Sequence, residues 1–283
     1  MTRYVVTGAG GMLGYDLETA LSGREVLPLT RAELDITDLA AVRSAVDGYD
    51  VIINAAAYTK VDDAESDEES ALAVNGTGAG NLAIAAAEVG AILVQISTDY
   101  VFDGTATEPY AEGTARNPVS AYGRTKAEGE RLVLAANGAR SYIVRTAWLY
   151  GAHGPNFAKT MLRLAATKET VGVVVDQVGQ PTWTLDLARR IVEMLDESVP
   201  FGIYHGTNSG EATWFDLARQ VFSNADLDPD RVTPTDSTAF VRPAPRPAYS
   251  VLGHEAWHYA GLEPMRDWRE ALAEAMDDEF LEQ

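Results

Sequence analysis

Short apolar runs alternate with segments of helical periodicity through the first half of the chain. Residues 3–7 (RYVVT) form an apolar run that stops at glycine, the pattern of a strand buried on both faces. Residues 12–21 follow with helical spacing, and 25–29 predict a second strand. The alternation continues: a helix over 39–46, a strand over 50–54 (DVIIN), a long Ala-rich helix over 70–89 and a strand over 91–96 (AILVQI). A helix over 120–137 and a strand over 141–145 (SYIVR) complete it. Strands that alternate with helices pair in parallel, so the fold class is α/β, a doubly wound parallel sheet over residues 1–145.

The second half is less regular. Residues 157–166, 185–195 and 214–225 predict helices, 203–205 a strand, and 268–280 a closing acidic helix. The Pro-rich stretch 237–249 predicts an extended loop. Residues 146–283 therefore form a smaller C-terminal lobe, from which a segment near 180–205 returns to the sheet. Open α/β sheets bind ligands at the carboxyl ends of their strands, where that lobe would sit.

Composition narrows the function. The 283 residues carry no Cys, which excludes disulfides and thiolate sites. No apolar run reaches the ~20 residues that span a bilayer, and residues 1–8 lack the apolar stretch of a signal peptide. A cytoplasmic protein is the expectation. Net charge is −20, which disfavours nucleic acid and anionic membranes as partners. Lys is confined to positions 60, 126, 159 and 168, and an acidic, Lys-poor surface suits a halophilic source.

The first strand runs into Gly8-Ala9-Gly10-Gly11-Met12-Leu13-Gly14. Gly8 permits the tight turn, Gly11 lets a pyrophosphate approach the backbone, and Gly14 allows a helix to pack closely on the sheet. The helix N-terminus adds N–H donors and partial positive charge. A dinucleotide site is expected. Arg31, just past the second strand, could pair with a 2′-phosphate and so favours NADP. Asp35 lies beyond the strand end and could line the adenine pocket, so NAD stays open.

Tyr122 and Lys126 stand at i and i+4 in a predicted helix, on one face. An ammonium beside a phenol favours the phenolate and lowers its pKa. Thr98, just past the strand over 91–96, could reach a substrate oxygen with its hydroxyl.

The Gly8–Gly14 loop, Asn54-Ala55-Ala56-Ala57, the Thr98 segment and the Tyr122/Lys126 pair resemble an extended short-chain dehydrogenase/reductase. Four further stretches, 97–104 (STDYVFDG), 145–151 (RTAWLYG), 156–161 (NFAKTM) and 176–182 (DQVGQPT), narrow the resemblance to the dTDP-4-dehydrorhamnose reductase family over nearly the whole chain. The resemblance implies a Rossmann-like fold with a substrate-binding C-terminal lobe. It implies NADPH or NADH as hydride donor to C4 of dTDP-4-dehydro-L-rhamnose. Tyr122 would protonate the alkoxide, Lys126 would lower its pKa and hold the nicotinamide ribose, and Thr98 would bond the reacting oxygen. Gly11, Met12 and Leu13 would hold the pyrophosphate, Asp35 and Ile36 would flank the adenine, and Ala57, Tyr58 and Thr59 would line the cofactor cleft. Asp99 and Trp148 would contact the sugar nucleotide.

Some members of that family bind Mg²⁺ at a homodimer contact through Glu side chains. Asp16 stands where the first would fall and the others find no match, so neither the metal nor the dimer is assigned. The four histidines show no metal-ligand spacing. Asp62 could approach the substrate, and the Arg242–Arg246 loop could clamp a diphosphate. Two other functions compete. A nucleotide-sugar epimerase or dehydratase keeps the fold, although Tyr100 stands where a dehydratase would carry Glu. A non-catalytic NADP-binding regulatory subunit is disfavoured by the intact Thr98, Tyr122 and Lys126.

Overall fold

The structure is a computed structural model and describes residues 1–277. Its strands, in chain order, are β1 (Arg3–Thr7), β2 (Glu25–Leu29), β3 (Val51–Asn54), β4 (Ile92–Thr98), β5 (Ser141–Thr146), β6 (Leu149–Tyr150), β7 (Val171–Val174), β8 (Val178–Gly179), β9 (Thr182–Trp183), β10 (Gly202–His205), β11 (Ala212–Thr213) and β12 (Val232–Thr235). The helices are α1 (Met12–Ala20), α2 (Leu39–Val46), α3 (Glu68–Leu72), α4 (Ala79–Val89), α5 (Ala121–Asn137), α6 (Phe157–Ala165), α7 (Thr184–Asp196), α8 (Trp214–Asn224), α9 (Glu255–Tyr259) and α10 (Trp268–Asp277).

Six strands form the central sheet in the order β10-β5-β4-β3-β1-β2, every neighbouring pair parallel. The period-two pattern explains both layers. Val6, Ile53, Val94 and Val144 point to one face and pack with α1, α7 and α9. Val5, Ile52, Leu93 and Ile143 point to the other and pack with α2, α4 and α5. Each such aliphatic burial contributes about 1.5–3 kcal/mol. The strand order reverses between β1 and β3, so a crevice opens at their carboxyl ends.

β10 pairs in parallel with β5, and α7 packs on the sheet with α1. Apart from α9, which also packs on the sheet, most of the remaining C-terminal half builds its own core around Trp183, Phe222 and Trp268. Three two-stranded ladders, β6 with β9, β7 with β12 and β8 with β11, frame it. Among the described residues no helix is long and apolar enough to cross a membrane.

Two expectations change. The single helix over 70–89 is instead α3, a wider π turn over Ala73–Gly78, and α4. Gly76 and Gly78 weaken the regular helix there. The Asn75 side chain bonds outside it, accepting from Tyr58 N at 2.9 Å and donating to Tyr58 O and Thr125 Oγ1, each at 3.1 Å. The Pro-rich stretch opens on a 3₁₀ turn, Ser237–Ala239, before it runs extended. The closing helix is described to Asp277, and residues 278–280 of the expected span lie outside the described residues.

Candidate active site

The glycine loop lies at the sheet's reversal point. Gly8 has a left-handed backbone (φ +73°), and a Cβ there would meet Ala56 N at 2.5 Å. A Cβ on Gly14 would meet Gly8 O at 2.4 Å. The two glycines thus let the loop after β1, the Ala55–Ala57 loop after β3 and α1 close on one another. α1 starts at Gly11 with no side-chain cap and no acidic residue in its first turn. Its first N–H groups therefore face the crevice as donors for an anion. Gly11 is exposed, Met12 half-buried and Leu13 buried. This cradle fits a dinucleotide pyrophosphate.

Past β2, Arg31 is exposed, and its charge acts on the Asp35 carboxylate. Asp35 accepts from Thr37 N and Oγ1 at 2.9 and 2.8 Å, bonds that hold its pKa below the usual range. Asn81 donates to the Ile36 and Thr37 carbonyls, each at 3.0 Å, which pins the segment to α4. On the other side of the crevice Asn75 grips Tyr58, while Ala57 is half-buried and Thr59 exposed.

β4 and α5 carry the chemical groups. Ser120 caps α5, accepting from Gly123 N at 3.1 Å, and this fixes the turn that presents Tyr122. The Thr98 hydroxyl lies against the Tyr122 phenol and lowers its pKa. Burial and the nearby Asp99 charge outweigh it, so the phenol is pushed up. Thr98 Oγ1 donates to Asp99 Oδ1 at 2.8 Å and accepts from Tyr100 N at 3.2 Å. Asp99 is buried, and desolvation pushes its carboxyl up to about 6 against the opposing pull of Ser250 and Thr98.

Lys126, one turn along α5, is 4% exposed and donates to Ile96 O at 2.7 Å. Burial lowers its pKa to about 8, with Glu130 opposing. The ammonium is directed to a strand carbonyl and does not act on the Tyr122 phenol in this arrangement. Beneath it Glu130 forms a buried two-point ion pair with Arg145, at 2.9 and 2.8 Å, and accepts from Ser97 Oγ at 2.6 Å. That pair locks α5 to β4 and β5. Removing one partner of such a pair costs about 3–5 kcal/mol.

A cavity of about 630 Å³ opens next to this centre, between the sheet ends and the C-terminal lobe. Tyr100 belongs to its wall and meets the Tyr122 ring edge-on at 5.6 Å. Trp148, Phe157, Met161 and Trp214 make it apolar, and Asp62, Arg242 and Arg246 charge its mouth. Trp148 stacks on Trp214 at 3.6 Å, its backbone in the left-handed region (φ +46°). A bulky residue rarely adopts that conformation, and such strain clusters at ligand sites.

The structure thus gathers Thr98, Asp99, Tyr122 and Lys126 at one end of the crevice and Trp148 across the cavity. Sequence reasoning missed three contributors. Tyr100 had a signal, standing two residues past Thr98 at the strand end. Trp214 and Asn75 had none, because their partners Trp148 and Thr125 are remote in sequence. His205 is buried in the core and His254 half-buried beside it, held near 3 and 4 by desolvation. Asp16 is buried near Thr184, and desolvation raises its pKa.

Fold and site together define an NAD(P)-dependent oxidoreductase of the Rossmann-fold short-chain dehydrogenase/reductase class. The pattern of the RmlD substrate binding domain matches residues 2–280. A dTDP-4-dehydrorhamnose reductase of Streptomyces griseus is 53% identical over 281 residues, spanning 96% of this chain and 92% of the relative. A dTDP-4-keto-6-deoxy-D-glucose reductase of Streptomyces niveus is 50% identical over 277 residues, spanning 96% of each chain. The crystal structure of a Bacillus anthracis dTDP-4-dehydrorhamnose reductase in complex with NADP superposes with a TM-score of 0.94 at 39% identity, covering 98% of this chain and 100% of that one. The chain belongs to the dTDP-4-dehydrorhamnose reductase family.

Proposed function

We propose that the chain reduces the C4 ketone of dTDP-4-dehydro-L-rhamnose to give dTDP-L-rhamnose, with NADPH as donor and NADH as its weaker substitute. The observation that carries this reading is the contact of the Thr98 hydroxyl with the Tyr122 phenol, one helical turn from a buried lysine. The Streptomyces griseus relative's name and the NADP bound to the Bacillus anthracis relative support it.

The cofactor, when bound, supplies hydride from its reduced nicotinamide. Gly11, Met12 and Leu13 hold its pyrophosphate at the start of α1, within the turn that Gly8 and Gly14 shape. Arg31 meets a 2′-phosphate, Asp35 and Ile36 flank the adenine, and Ala57, Tyr58 and Thr59 form the far wall. Tyr122 keeps its proton at neutral pH because burial raises its pKa, and it gives that proton to the C4 oxygen as charge develops. Lys126, with a pKa near 8, is mostly charged at pH 7, and it favours the phenolate left behind only after leaving the Ile96 carbonyl to which it donates here. It also holds the nicotinamide ribose. Thr98 orients the same oxygen. Asp99 and Trp148 contact the sugar, and Arg242 and Arg246 take the diphosphate.

A panel of dTDP-, UDP- and GDP-linked 4-keto sugars, each with NADPH and NADH, tests the proposal, with products identified by NMR. Net NADPH oxidation with the dTDP sugar is expected. Conversion without net oxidation would mark an epimerase instead. The Streptomyces niveus relative's name favours dTDP-4-keto-6-deoxy-D-glucose as a second substrate, which the same panel distinguishes.

A further inference from the structure

The cations in the cavity wall are Arg242 and Arg246, and both face one carboxylate. Arg246 Nη2 lies 2.9 Å from Asp62 Oδ1, and Arg242 Nη1 lies 4.0 Å from Asp62 Oδ2. Ala244 N, between them in sequence, donates to Asp62 Oδ1 at 3.3 Å. Arg246 Nη1 donates to Ala244 O at 3.0 Å, so both terminal nitrogens of this arginine are engaged within the chain. Asp62 follows β3 in the cofactor half, and the arginines belong to the Pro-rich segment of the C-terminal lobe. The carboxylate therefore ties the two halves together across the cavity mouth.

We propose that Asp62 is an exchange counter-ion: it holds Arg246 and Arg242 until the diphosphate of the nucleotide-linked substrate takes them, and so sets the affinity and anion selectivity of the site. The proposal rests on the nucleotide-sugar reading above and assigns a positioning residue to it. The remaining wall is apolar or neutral, and the chain as a whole carries −20. An entering diphosphate therefore meets these two guanidinium groups or none in the cavity wall. It also meets Asp62, a like charge on the same donors. A diphosphate offers more charge and more acceptor oxygens than a carboxylate, and guanidinium pairs with it at two points. It displaces Asp62 and pays for that displacement in affinity, as any ligand does whose binding-competent state must first be freed. A ligand without phosphates has nothing to exchange and gains nothing from the arginines.

The test is a calorimetric titration of the full chain with dTDP and, separately, with thymidine. Asp62→Asn keeps an oxygen for Ala244 N and removes the charge. It is expected to tighten dTDP binding about fivefold, the scale of a half-exposed ion pair, and to leave thymidine binding as it was. In an Arg242→Ala/Arg246→Ala background, where dTDP binds more weakly, the same Asp62→Asn change is expected to give no tightening. Circular dichroism checks that each variant folds. If Asp62→Asn weakens dTDP binding or leaves it unchanged, Asp62 orients the arginines and the exchange is refuted, while the nucleotide-sugar reading stands. Fivefold tightening that persists without the arginines also refutes it, because the effect would then be one of general charge. No dTDP binding by any form overturns the substrate reading and the exchange with it.

Discussion

Thr98 Oγ1 donates to Asp99 Oδ1 across 2.8 Å, so the hydroxyl beside the Tyr122 phenol directs its own proton to a buried carboxylate. Burial lifts that carboxyl from 3.8 to about 6. The folded protein therefore holds an extra proton between those pH values, and this contribution to stability falls as pH rises through the window. Below about pH 4 burial of the acid costs little, and above 6 the full cost of the buried ion is present. Asp99→Asn keeps an acceptor for Thr98 and removes the charge. Thermal unfolding should show the variant gaining more at pH 8 than at pH 4, and equal differences at the two pH values would refute the assignment.

Tyr122→Phe removes the proposed proton donor and keeps the ring that meets Tyr100 edge-on. Loss of a positioned general acid costs about a hundred- to ten-thousand-fold in turnover. NADPH oxidation with the keto sugar should fall by that range, while NADPH affinity, measured by fluorescence titration, stays near that of the unmodified protein. Turnover within tenfold of the original would show that another group protonates C4.

Lys126→Met separates stability from activity. The buried ammonium has its pKa lowered from 10.5 to about 8, so the folded protein holds fewer protons than the unfolded chain between those values. This contribution to stability rises with pH across the window, and the cost of the buried charge is fully present below 8. Methionine fills similar space without charge. Urea midpoints should place the variant above the original at pH 7, with the gap closing towards pH 10.5. Its turnover should drop about a hundredfold or more, with weaker NADPH binding.

Elements with a local cause were legible in the sequence. β1, β3 and β4 are apolar runs buried on both faces, and Gly11 and Gly14 are set by approaches to Gly8 and Ala9 within the same loop, although Gly8 itself is set by the remote Ala55–Ala56 backbone after β3. Tyr122 and Lys126 were legible because helical spacing alone puts them on one face. The π turn over Ala73–Gly78 was not, because Asn75 is drawn to Tyr58 and Thr125 by tertiary contact. Nor was the direction of the Lys126 ammonium, which depends on how deeply α5 packs against β4 and the buried Glu130–Arg145 pair. Spacing shows which groups share a face and says nothing of desolvation, and desolvation dominates the titration of Asp99, Tyr122 and Lys126.

Arg31 tests the choice of cofactor. It is exposed just past β2, and its charge acts on the Asp35 carboxylate. A charge-assisted bond from guanidinium to a 2′-phosphate contributes about 1.5–3 kcal/mol, and NADH lacks that phosphate. Arg31→Ala should therefore raise the KM for NADPH about tenfold or more and that for NADH far less. Equal increases would remove Arg31 from the 2′-phosphate site.

Gly179 holds the space that the Trp148 ring occupies. A Cβ at that position would fall 2.6 Å from Trp148 Cε2 and 2.8 Å from its Nε1. The ring cannot retreat, because Trp214 lies flat on its other face at 3.6 Å. Trp214 is itself fixed, by Phe157 at 4.6 Å and by an indole N–H donated to Gln177 Oε1 at 3.1 Å. Gly179→Ala must therefore push Trp148 out of the stack, at a cost of about 1–3 kcal/mol typical of overpacking. Denaturant titration should report that loss, and near-ultraviolet circular dichroism should lose the coupled indole signal. Because Trp148 faces the cavity and not the dinucleotide crevice, KM for the sugar nucleotide should rise several-fold while NADPH affinity holds. A variant with the indole coupling intact and an unaltered sugar-nucleotide KM would show that the ring is free to move and that Gly179 sets nothing at the site.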